Sequence, residues 1–103
     1  MDKISIIKLV SGEEIIAVLS ISDDIFSLKN PAVVIIQTES NGKSSVGLAD
    51  YLMLAEKKEI SILAKNVLCT YMPNTDIKNA YNSMFGSGLV IAKPVGNVLP
   101  FSK

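Results

Sequence analysis

The run Ile15-Ile16-Ala17-Val18-Leu19-Ser20-Ile21-Ser22-Asp23-Asp24-Ile25-Phe26-Ser27-Leu28-Lys29-Asn30-Pro31-Ala32-Val33-Val34-Ile35-Ile36 decides the fold of this chain. Residues 15–21 place Ile15, Ala17, Leu19 and Ile21 on one side of an extended backbone, the period of a strand. Ser22-Asp23-Asp24 follows as a turn, because Asp side chains close onto their own backbone. Residues 25–36 then read as a third strand interrupted at Asn30-Pro31. Proline has no N–H to give to a ladder, so Pro31 marks a bulge, a bend or a position turned away from the neighbouring strand. A long strand with a bend built into it is what a small, highly curved barrel requires.

Working outward, residues 4–10 (ISIIKLV) form a first strand, loosely alternating, and Ser11-Gly12-Glu13-Glu14 breaks it with a glycine turn. Downstream, the polar stretch 38–45 centres on Asn41-Gly42, the strongest short-range hairpin signal in the chain. Residues 46–54 and 59–63 read as a fourth strand broken in the middle by the charged AEKKE segment. The alternative is a helix over 50–58, since Leu52, Leu54, Ala55, Glu56 and Lys57 are good helix formers. Residues 66–72 make a fifth strand, which Pro73 stops. Asn74 or Thr75 then caps a helix whose apolar face is Ile77, Ala80, Tyr81, Met84 and Phe85. Gly86 is placed to end it, and Leu89-Val90-Ile91-Ala92 reads as one short further strand before the chain frays at Pro100. Five strands in meander order close most simply into a small barrel, which hides both sheet edges.

The composition agrees. The chain has 103 residues, 49% hydrophobic and only 6% aromatic, which suits one domain with a β-branched core. Lys and Arg number ten, and so do Asp and Glu, so no net field gathers phosphates around a lone monomer. Neutrality still permits a local basic ring once copies assemble, and it leaves little repulsion between them. No histidine and a single cysteine, Cys69, leave no ligand set for structural zinc and no intrachain disulfide. Cys69 sits in the apolar run VLCTYM and is expected to be a small buried hydrophobe. No apolar stretch reaches the roughly 20 residues that span a bilayer, and the N-terminus has no signal-peptide pattern. The expected setting is cytoplasmic, with no membrane association.

No constellation for catalysis emerges. The paired acids Glu13-Glu14 and Asp23-Asp24 fall in turns, where solvated carboxylates belong. Gly86-Ser87-Gly88 lacks the Lys-Ser/Thr of a phosphate loop and follows a helix instead of preceding one. No enzyme activity, metal or cofactor is expected.

The pattern Leu9-x-x-Gly12, Leu19, Asp23-Asp24 and Leu28-x-Asn30 resembles the first motif of the Sm/LSm-like (Hfq-like) RNA-binding family. Asp23 stands at the motif aspartate and Phe26 at the bulky apolar place after it. The second motif is matched loosely by residues 60–67, and the likeness covers about positions 4 to 72. NAYNSMFGSG and SLKNPAVV look like the small Sm-like proteins of marine phages and metagenomic sequence. The resemblance implies a strongly bent five-stranded barrel over 1–72, with the helix and tail of 73–103 packed on it in one domain. It also implies a homo-oligomeric ring that binds RNA or single-stranded DNA in phage or host nucleic-acid processing. Carried over by position, the binding residues are Asp24, Phe26 and Ser27 in the loop after the motif aspartate, and Lys65 and Asn66 before the last strand. Phe26 would be the stacking platform if it faced outward, and a core residue if it shared a face with Leu28. Ser27 stands where the family has Asn, and Ala64-Lys65 where Arg-Gly is usual, so fewer hydrogen-bonding atoms and no planar fork are on offer. The rival reading is a ring that serves as a protein-assembly scaffold, with the Ile77/Tyr81/Met84/Phe85 face docking a partner.

Overall fold

The computed structural model describes residues 3–85. The elements are β1 (Lys3–Leu9), β2 (Glu14–Ser22), β3 (Ile25–Thr38), β4 (Ser44–Asp50), β5 (Glu59–Leu63), a 3-10 turn (Ala64–Asn66), β6 (Val67–Tyr71) and α1 (Thr75–Phe85). The strands form one antiparallel sheet in the order β4-β3-β2-β1-β6, with β5 also paired to β3. Over the described residues the chain is mainly β with one short helix after the strands, as its sequence implied. The expectations for Gly86, for a strand over 89–92 and for Pro100 lie outside the described residues.

The interrupted fourth strand is two strands. β4 pairs with the second half of β3, from Ala32 to Thr38, and β5 with its first half, from Ile25 to Lys29. Residues 51–58 between them are turns and bends, not a helix. Local polar contacts explain why. Leu52 N–H donates to Asp50 Oδ1 at 2.9 Å, Lys58 Nζ lies 3.1 Å from Asp50 Oδ2, and the same ammonium donates to the Leu52 carbonyl. Asp50 and Lys58 therefore close a loop, and their contacts compete with helical backbone bonding.

The break in β3 does more than bend it. Val18 pairs with Lys29 and Ile16 with Ala32, so Asn30 and Pro31 together oppose Ala17, which is a β-bulge. Asn30 takes a left-handed φ of 51°, tolerated by asparagine better than by most residues. Side chains alternate across a regular strand, so Phe26, Leu28, Ala32 and Val34 would all share one face. The extra residue separates them. Phe26 and Leu28 join a core of Ile7, Ile15, Ala17 and Leu19, whereas Ala32 and Val34 join a second core of Ile6, Ile16 and Tyr81 on the opposite face.

Helix α1 covers the second core. Asn74 is its cap, its Oδ1 accepting the Ile77 N–H at 2.9 Å. Tyr81 is fully buried and donates its hydroxyl to the carbonyls of Asn30, at 2.8 Å, and Lys29, at 3.2 Å. Asn30 has no partner in the β2–β3 register, and Tyr81 bonds its carbonyl. Ile77 and Phe85 pack beside it, while Ala80 and Met84 of the expected face remain exposed. Ile77, Tyr81 and Phe85 thus turn to the molecule's own sheet, and of the four residues expected to dock a partner Met84 alone is exposed.

The sheet is strongly curled. In a flat sheet β5 and β6 would lie four strand spacings apart, about 19 Å. The 3-10 turn joining them has three residues and advances only about 6 Å. The sheet is nevertheless not closed: among the described residues, the outer sides of β6 and of β4 and β5 have no ladder partner. Cys69 corrects its expectation. It is exposed, because β6 is an edge strand and only part of it reaches the core.

Candidate nucleic-acid interface

The 3-10 turn spans the open side of the curl, and backbone hydrogen bonds fasten it at each end. Ala64 N–H donates to the Asp24 carbonyl at 2.8 Å, and the Asn66 carbonyl accepts the Val10 N–H at 2.9 Å. Pairing of Ile25 with Leu63, Phe26 with Ile62 and Ser27 with Ser61 continues the first junction. Two segments some forty positions apart in the chain thus share one rim: the β2–β3 turn with Asp24, and the turn carrying Lys65 and Asn66. Asp23, at φ 53°, makes the β2–β3 turn tight enough to do this.

Asp24, Lys65 and Asn66 are all exposed on that rim. Phe26 and Ser27 leave it in opposite directions. Phe26 is half-buried and packs on the core of Ile7, Leu19 and Leu28, so it shares a face with Leu28 as alternation required. Its ring contributes to packing. Ser27 is exposed on the other face.

Ser27 there has companions that sequence reading missed. The register sets Ser20 opposite Ser27 and Ser27 opposite Ser61, a row of three hydroxyl side chains across β2, β3 and β5. Lys29 lies opposite Glu59 in the next row. Together with Val18, Leu28 and Ile60 they line a shallow cavity of about 340 Å³. Hydroxyls both donate and accept, so this floor suits a neutral hydrogen-bonding ligand such as a base edge or sugar. Alternation alone puts each serine on the outward face, but only strand register puts them in line.

The paired acids of the β1–β2 turn are held by tyrosines. Tyr71 donates its hydroxyl to Glu14 Oε1 at 2.6 Å, and this bond, with partial burial and the charge of Glu14, pushes the phenol up to about 12. Tyr51 reaches Glu13 Oε1 at 3.5 Å and is raised by burial first and by Glu13 second. Both carboxylates serve the junction of β1 and β2 with β6 and the 51–58 loop. Among the described residues no group of three or more His, Cys, Asp or Glu comes together, and no helix is long and apolar enough to cross a membrane.

The chain matches no model of a known family and no curated protein.

Proposed function

We propose that this chain is an Sm-like protein that assembles into a homomeric ring and binds RNA or single-stranded DNA at the rim formed by Asp24, Lys65 and Asn66, without catalysis. The observation that carries the reading is the 2.8 Å bond from Ala64 to Asp24, which locks the two candidate loops together. Rigidly joined loops present phosphate- and base-contacting groups in a fixed relation, which lowers the ordering cost of binding. The strong curl supports the finer reading of a bent barrel whose corner is the 3-10 turn. The unpaired outer sides of β6 and of β4 and β5 support assembly, because a free edge is a template for another strand. Assembly would repeat Lys65 once per copy, a ring of ammonium groups that alternates with the Asp24 carboxylates. Phe26, being packed, contributes by holding the β3 end of the rim, and Ser27 extends the contact onto the hydroxyl row.

The test is fluorescence anisotropy with labelled poly-U, poly-A and single-stranded DNA over a salt series. Binding through phosphates gives an affinity that falls with salt, with a slope of about −0.7 per phosphate contact on single strands. Lys65→Ala is expected to weaken binding and flatten that slope while leaving the unfolding midpoint unchanged. A ring that binds none of the three at low salt would instead be a protein scaffold, and the nucleic-acid reading would fall.

A further inference from the structure

The curl closes around the first core, on which Phe26, Ile60 and Ile62 of β3 and β5 pack together with Leu9 and Val67 of β1 and β6. At one end of this face, where β1 begins and β2 and β6 end, an open cavity of about 450 Å³ takes the place of core. Lys3, Ser5, Leu19, Ile21, Thr70 and Met72 line it. The register explains the set. Lys3 pairs with Leu19 and Ile7 with Thr70, so alternation carries the lining residues onto the face that Ile7 and Leu19 give to the core. Ser5 stands opposite Ala17, and two small side chains abreast leave room above the sheet.

The lining has a definite chemistry. Ser5 is the one polar residue buried among the described residues, at 7% exposure. Its hydroxyl makes a single bond, 3.5 Å long, to the Lys3 carbonyl. That length is at the limit of hydrogen bonding, so a buried group able to donate and to accept is poorly satisfied. Thr70 adds a second hydroxyl on the same face. Leu19, Ile21 and Met72 make an apolar wall, of which Ile21 and Met72 are 55% and 56% exposed. Lys3 takes part in neither ion pair formed among the described residues, and among them no acidic side chain lines the cavity.

We propose that this cavity binds an aliphatic monocarboxylate, its chain on Leu19, Ile21 and Met72 and its head shared by the Lys3 ammonium and the Ser5 and Thr70 hydroxyls. Each methylene laid on the apolar wall removes surface from water. A neutral alcohol of the same length leaves the ammonium without a partner, and an alkylammonium meets it as a like charge. Apolar walls with a few convergent polar groups, at the mouth of a β structure, are the usual form of a small-ligand site. The site shares no residue with the rim of Asp24, Lys65 and Asn66, so it stands apart from the nucleic-acid reading.

Calorimetric titration of the full chain with octanoate, octanol and octylammonium tests it. Octanoate is expected to bind more tightly than either analogue, with amide shifts in NMR spectra centred on β1, the end of β2 and β6. Lys3→Gln should weaken octanoate about two- to fivefold, the scale of an exposed charge pair, and leave octanol unchanged. Ser5→Ala keeps the space and should weaken octanoate about two- to tenfold. Ser5→Leu fills the space and should abolish binding; Lys3→Gln, on the surface, reads the site even if that filling disturbs the fold. Leu54→Ser, at an exposed leucine of the 51–58 loop, should change nothing. Octanoate binding no tighter than octanol, affinity indifferent to Lys3→Gln and Ser5→Ala, or loss of binding in Leu54→Ser would overturn the proposal.

Discussion

Tyr81 is the residue on which most depends, because one side chain fills a core and satisfies the bulge in β3. Removing only its hydroxyl leaves the Asn30 and Lys29 carbonyls without that donor. Tyr81→Phe is therefore expected to cost about 1–3 kcal/mol, measured by urea unfolding. Asn30 is the complementary position. Its left-handed backbone costs a side chain with a Cβ about 1–2 kcal/mol, and a β-branched one more. Asn30→Gly should leave stability unchanged or raise it, and Asn30→Val should lower it, with thermal unfolding as the readout. Tyr71 gives a pH dependence. Its phenol is raised from about 10 to about 12 in the folded state, so the native chain holds that proton more tightly than the unfolded one. The associated stability is complete below about pH 10 and is lost as pH rises from about 10 towards 12. Tyr71→Phe should flatten that part of an alkaline unfolding profile; an identical slope would show that the Glu14 bond does not persist in solution.

At the level of elements, β3 is the organiser. It pairs with β2 on one side and with both β4 and β5 on the other, and its bulge hands its apolar face from one core to the other. The break was legible from Pro31 alone, since no central strand keeps a proline in its ladder without one. The hand-over was not, because it depends on which residue of β2 the extra residue opposes. The helix cap was legible too, with Asn74 and Thr75 both able to serve and Asn74 in place. Asn74→Ala is expected to cost about 1 kcal/mol of stability and to reduce helical circular dichroism. The choice of turns over helix for 51–58 followed from Asp50 and Lys58 closing on each other across the loop. That contact spans a distance that helix propensity does not weigh.

For the whole molecule, two open edges and a curl set what the chain can form. Leu68 is the extra residue of an irregularity in β6 and stands exposed on that edge. If copies join edge to edge, Leu68→Lys should place a charge in the seam and yield monomers whose unfolding midpoint no longer depends on protein concentration. Light scattering of both proteins checks this: a wild-type chain that is itself monomeric at working concentration would remove the ring. The candidate rim was half legible. Asp24, Lys65 and Asn66 came from family resemblance, and the Asp24 carbonyl bonds the start of the turn that carries the other two, whereas Phe26 went to the core and the Ser20–Ser27–Ser61 row went unseen.

The sequence by itself determined the local order of the chain: where strands run, where glycine, aspartate and proline break them, and where the helix is capped. Each of those choices is made by a residue and its near neighbours through steric and hydrogen-bond preference. Only the tertiary structure decided which breaks meet, that a three-residue turn draws the ends of β5 and β6 together, and which face each outward residue shares. Those outcomes depend on register between distant strands, which is settled by burying two cores at once and cannot be expressed at any single position.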